Sequence, residues 1–207
     1  LGLGLGHRGG VSLNQAIFYR GRQLLDARAT AALQADTPLL YSPSGRALQA
    51  PEMHIEEGVF MALDLEVPDG PVGWVARKTW EPLDLTRVAA HEATDFFSPL
   101  DAPGRAGRPR DHLWLERGRF YIFSTYEQVR VPTDYAVEML PYDTTAGEFR
   151  AHYAGFFDPG FGYGSGGDEQ GTTAVLEVRA YEDDLIVRHR QPICRMVYER
   201  LAAPPQR

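Results

Sequence analysis

Residues 119–131 read RFYIFSTYEQVRV, and the way this run divides decides the fold. Arg119–Thr125 (RFYIFST) alternates bulky apolar side chains with smaller or polar ones, the two-residue period of a half-buried strand. Gln128–Val131 (QVRV) repeats the alternation, and the turn formers Arg117-Gly118 and Pro132 bracket the pair. The spacing predicts two strands here. Working outward, Val59–Leu65 (VFMALDL), Val72–Ala76 (VGWVA), Ala174–Ala180 and Ile193–Glu199 read the same way. Pro68-Asp69-Gly70, Pro103-Gly104 and Asp158-Pro159-Gly160 punctuate them. Only Leu24–Asp36, with Leu24, Leu25, Ala32 and Leu33 near helical spacing, predicts a helix. Short strands with frequent turns predict an all-β sandwich, barrel or related fold.

The 207 residues are 43% hydrophobic and 24% charged, an ordinary globular composition that can bury a core unaided. One cysteine, Cys194, excludes a disulfide framework and a Cys-rich zinc site, and the closing strand makes it a core residue. No apolar run is long enough for a membrane helix. A formal charge of −7 argues against binding a nucleic acid polymer. No targeting segment is evident, so a cytoplasmic location is expected. Residues 1–10 (LGLGLGHRGG) are too Gly-rich for regular structure unless paired, and Val11–Arg20 (VSLNQAIFYR) has strand length. Leu13–Arg20 echoes Ile193–Arg200 at an offset of 180, with apolar positions coinciding and both ending in arginine. Residues 1–23 are therefore expected to be the tail, the last strand, of a preceding copy of the domain formed by 24–207. Residues 102–110 and 162–171 are expected to be mobile loops.

Six histidines are scattered without metal-ligand spacing, and no G-x-S-x-G elbow exists. G-x-G-x-x-G occurs at Gly4–Gly9 and Gly162–Gly167, but neither copy opens a helix in a βαβ unit. The densest chemistry lies between Pro141 and Glu177. Thr144 and Thr145 present hydroxyls in a turn, good donors to phosphate oxygens. Asp158 is locked by Pro159 and Gly160. Glu177 lies mid-strand, facing away from Leu176 and Val178. On a buried face, desolvation would make it a proton shuttle; on an open one it is the polar half of an alternating strand.

Ala154–Phe161 (AGFFDPGF) followed by Val175–Val178 (VLEV) resembles the signature of the dCTP deaminase branch of the dUTPase-like superfamily. Trp114–Leu140, Phe60–Leu65, Pro82–Leu85, Leu24–Asp36 and Gln191–Glu199 resemble the family's other segments in the same order. The whole resembles the second half of the long, duplicated bacterial form. The resemblance implies a distorted jelly-roll or β-clip domain with one or two short helices, assembled as a homotrimer or a pseudo-symmetric array of duplicated domains. It implies zinc-independent hydrolytic deamination of dCTP to dUTP and ammonia, with Mg²⁺ accompanying the triphosphate and dTTP as a conceivable effector. By it Glu177 is the catalytic glutamate and Ala154 supplies a carbonyl to the attacking water. Asp158 meets the 3′-hydroxyl, Val175 lines the substrate, and Thr144 and Thr145 take the place of the family's paired serines.

The sequence departs from the family where its two phosphate-binding arginines would stand, with Asp143 and Glu148 instead. Carboxylates there repel a triphosphate, and Arg150 is the nearest replacement cation. Two alternatives follow: a non-catalytic or effector-binding half that supports the assembly, and a dUTPase-type pyrophosphohydrolase. The closing LAAPPQR, which lacks a Gly-rich, Ser/Arg-bearing tail, counts against the second.

Overall fold

The computed structural model describes residues 5–6, 10–11, 24–68, 70–80, 82, 84, 86, 91–103, 111–142, 149–151, 155–164, 166–181 and 183–203, with backbone alone for 5–6, 10–11 and 149–151. The expected strand at Val11–Arg20 lies outside these beyond its first residue, as do nearly all of the 102–110 loop and the acidic pair Asp143 and Glu148. Near the start, β1 (Leu5–Gly6) pairs with β2 (Gly10–Val11), so the Gly-rich opening is paired locally.

Among the described residues the one helix of useful length, α1, spans Ala27–Asp36. It begins three residues after Leu24 because Asp26 caps it, its carboxylate accepting the Ala29 N–H at 2.8 Å. Leu24 instead bridges to Glu199. The buried residues of α1 are Thr30 and Gln34. The Gln34 amide donates to the Leu48 carbonyl at 2.7 Å and accepts from the Leu39 and Leu40 N–H groups at 2.7 and 3.2 Å. A buried amide with its donor and acceptor both engaged thus fixes α1 to β3 (Leu40–Tyr41).

The remaining strands are β4 (Ile55–Glu56), β5 (Gly58–Ala62), β6 (Gly73–Ala76), β7 (Phe97–Leu100), β8 (Leu113–Leu115), β9 (Phe120–Val129), β10 (Tyr135–Pro141), β11 (Phe149–Ala151), β12 (Gly155–Phe157), β13 (Thr172–Ala180), β14 (Leu185–Val187) and β15 (Pro192–Arg200). They form two larger antiparallel sheets, ordered β12-β10-β15-β5-β4 and β11-β13-β9-β6-β7, with β3 also on β9 and a separate β14-β8 ribbon. One core joins them: Val59, Met61, Val137, Met196 and Tyr198 from the first meet Val75, Phe123, Leu176 and Val178 from the second. Cys194 lies fully buried in that core. The fold is the expected mostly β, dUTPase-like one, and the described strands leave both sheets open rather than closing a barrel.

Residues 119–131 hold one strand, not two. β9 runs unbroken from Phe120 to Val129 with strictly alternating burial. Against β13, Gln128 faces Thr173 and Ser124 faces Val175, so three β9 residues, Thr125 to Glu127, oppose the single Ala174. The expected break is therefore a bulge. Two extra residues preserve the period of two, so Tyr121, Phe123, Thr125, Glu127 and Val129 all stay on the buried face. The Thr125 hydroxyl repairs the ladder, accepting the Ala174 N–H at 3.0 Å and donating to the Glu127 carbonyl at 2.8 Å.

Candidate functional site

β13 alternates as its sequence requires. Ala174, Leu176, Val178 and Ala180 are buried, while Val175 and Glu177 are exposed on the opposite face. β9 holds the backbone at Glu177 on one side, and β11 pairs with the next three residues of β13, Val178–Ala180, on the other. Glu177 stands opposite Ile122 of β9, which stands opposite Trp74 of β6. Among the described residues no hydrogen bond or ion pair to the Glu177 carboxylate is present, and in a single chain it faces solvent. Of the two sequence alternatives, the isolated chain shows the open face. Among the described residues nothing covers this carboxylate, and Val175, Ile122 and Trp74 share its face.

Arg179, two residues beyond Glu177 on the same face, is a residue the sequence reading missed. It pairs in register with Arg150 of β11. Antiparallel partners share a face, so the sheet sets two arginine positions side by side next to the Glu177 position. The Arg179 guanidinium lies over the Tyr181 ring at 5.9 Å, and its Nε is buried without a hydrogen-bond partner. The alternation V-L-E-V-R-A carried the signal, since it repeats the outward position of Glu177 at Arg179.

The other expected site residues divide. Asp158 is exposed, in the turn that follows β12 of the other sheet. Gly160, at φ +89, donates its N–H to the Val131 carbonyl at 2.9 Å, and the Val131 N–H donates to the Phe161 carbonyl at 2.8 Å. The left-handed glycine lets the turn close against the chain after β9. Thr144, Thr145 and Ala154 lie outside the described residues, and of Arg150 only the backbone is described.

The 162–171 stretch, expected to be a mobile loop, is anchored. Gly171 donates to the Gly162 carbonyl at 3.1 Å and Glu169 to the Tyr163 carbonyl at 3.3 Å. Arg130, nine-tenths buried, reaches into it from the end of β9. Its guanidinium donates to the Gly167 carbonyl at 2.7 Å and to the Tyr41 hydroxyl at 3.0 Å, and stacks on the Tyr163 ring at 3.8 Å from the centroid. The physical reason is the partner's distance in sequence: composition reports glycine, not an arginine more than thirty residues earlier. The loop feeds β13, so Arg130 fixes the approach to Val175 and Glu177.

Comparison with known proteins gives the family. The model of the 2′-deoxycytidine 5′-triphosphate deaminase C-terminal domain matches residues 27–207. The crystal structure of 2′-deoxycytidine 5′-triphosphate deaminase from Agrobacterium tumefaciens superposes with a TM-score of 0.72 at 37% sequence identity, over 89% of this chain and 50% of that one. The chain thus spans half the length of that relative. No curated protein matches.

Proposed function

The chain belongs to the 2′-deoxycytidine 5′-triphosphate deaminase family, and from that membership we propose that it takes part in the hydrolytic deamination of dCTP to dUTP and ammonia, with Glu177 as the proton shuttle. One observation carries the reading: the Glu177 carboxylate projects from a strand paired on both sides, on the face shared with Val175 and the Arg150–Arg179 pair. The carboxylate takes a proton from water as the oxygen bonds to C4 of the pyrimidine, and passes it to N3. It then moves the hydroxyl proton to the exocyclic nitrogen, the C4–N bond breaks, ammonia leaves and the C4 carbonyl forms. One carboxylate moves both protons in turn.

Arg150 and Arg179 are proposed to meet the triphosphate, replacing the cations that Asp143 and Glu148 displace from the family pattern. Two arginine positions paired in register concentrate positive charge there, and a polyphosphate supplies both counter-charge and acceptors. Asp158 is assigned to the sugar hydroxyl, and Thr144, Thr145 and Ala154 keep the roles the resemblance implies. Among the described residues no group of three or more His, Cys, Asp or Glu is set to hold a metal ion. Magnesium accompanying the nucleotide would be held by the phosphate oxygens.

The openness of the Glu177 face in one chain supports a site completed by another domain or subunit, in keeping with a trimer or an array of duplicated halves. It equally favours a second reading, in which this half binds effector and supports a catalytic partner. Incubating the protein with dCTP and with dUTP, and following ammonia and pyrophosphate, tests the assignment. Ammonia from dCTP is expected. Pyrophosphate from dUTP without ammonia from dCTP would overturn it in favour of the dUTPase-type reaction.

A further inference from the structure

On the far side of the β9 bulge from Glu177 is a pocket of about 120 Å³, lined by Leu40, Leu48, Met53, His54, Phe60, Glu127, Arg190 and others. Glu127 is nine-tenths buried. Its carboxylate accepts the Ala62 N–H at 2.7 Å and is helped by its own backbone N–H, but no cation pairs with it among the described residues. An ionised carboxylate without a paired cation in a largely buried place destabilises the fold. Burial accordingly pushes the Glu127 carboxyl above its ordinary range.

Arg190 stands across the same pocket and also works against stability. It is the one described non-glycine residue with left-handed backbone, at φ 58, in the tight turn between β14 and β15 where glycine would sit without strain. Its guanidinium is held over the Tyr126 ring at 4.6 Å and forms no ion pair with Glu127. At the mouth the His54 ring stacks on Phe60 at 4.2 Å and 16°. An unfilled gap thus separates a carboxylate from a guanidinium, beside an aromatic wall. Backbone strain, a buried carboxylate without a paired cation and a bulge converge on one cavity, a combination that favours binding over packing.

We propose that this pocket is a second small-molecule site, separate from the Glu177 face, taking one planar ring that presents an N–H donor beside an adjoining acceptor, as the edge of a pyrimidine base does. The ring donates to Glu127, accepts from Arg190 and packs along the His54–Phe60 wall. The volume holds a single ring; sites enclosing larger ligands run to about 300–1,000 Å³. Cytosine and uracil both offer this edge, and the site is indifferent to whether Glu177 is catalytic.

The test is titration of the whole protein with cytosine and, separately, with uracil, followed by NMR of the His54, Tyr126 and Arg190 signals. Saturable shifts at these residues are expected with at least one base. Glu127→Gln and Arg190→Gly should each weaken binding at least about tenfold, the loss of one charge-assisted hydrogen bond. Glu177→Gln should leave it unchanged. Arg190→Gly relaxes the left-handed turn, so its thermal midpoint should not fall, which separates lost binding from lost folding. Absence of saturable shifts with both bases, or binding that survives Arg190→Gly and vanishes in Glu177→Gln, would overturn the proposal.

Discussion

Arg130→Ala offers the most direct measure of how this fold holds its Gly-rich loop. The substitution removes two charge-assisted hydrogen bonds, to Gly167 and Tyr41, and the stack on Tyr163. Hydrogen bonds to a charged group contribute about 1.5–3 kcal/mol each, and a desolvated cation–π contact adds about 1–2 kcal/mol. Against this, the Arg130 Nε is buried without a partner, and truncation relieves a penalty of about 1–3 kcal/mol. The balance is a loss of roughly 4 kcal/mol. Most of it should appear in the loop, which holds two of the three lost contacts, Gly167 and Tyr163, while Tyr41 lies in β3. Urea unfolding should report the loss, and amide exchange of Gly167, Glu169 and Gly171 should quicken by about a hundredfold. Arg130→Lys keeps a cation without the planar fork and should fall between. A stability change under about 0.5 kcal/mol, or loop amides that exchange as before, would refute the anchoring argument.

Two further substitutions follow from the core. Tyr198 is fully buried and its hydroxyl donates to the Arg130 carbonyl at 3.2 Å, so Tyr198→Phe should cost about 1 kcal/mol in urea unfolding with no change in m-value. Burial raises the folded pKa of Glu127 above its unfolded value. The folded state therefore holds that proton longer, and this group's effect on stability is to lower it as pH rises through the window between the two values. Glu127→Gln keeps a neutral acceptor for the Ala62 N–H and removes that slope. Its stability relative to the parent should grow from pH 4.5 to 7.5 in urea titrations; a constant difference would contradict the assignment.

Much of this was readable from residues, and the exceptions have physical causes. The Val175–Val178 alternation set Glu177 outward because a paired strand enforces a period of two. The division of residues 119–131 failed since Tyr126 and Glu127 look like a polar interruption, whereas a bulge with two extra residues leaves the alternation intact. The same register names Glu127 as inward-facing, in line with Tyr121, Phe123 and Val129, so the buried carboxylate was legible in hindsight of one continuous strand. Strands of three residues, such as Leu113–Leu115 and Leu185–Val187, carry too few alternations to stand out. The Arg130 clamp and the Arg150–Arg179 register depend on partners distant along the chain, which local patterning does not report.

The central claim is that Glu177 moves the protons in dCTP deamination. The decisive measurement is the rate of ammonia release from dCTP by the whole protein and by its Glu177→Gln variant, with dCTP binding followed in parallel. A shuttle residue predicts a fall in kcat of about 10²–10⁴-fold, with nucleotide affinity nearly unchanged. A Glu177→Gln protein that keeps full ammonia release would contradict the account and leave this half as the supporting partner of a site built elsewhere.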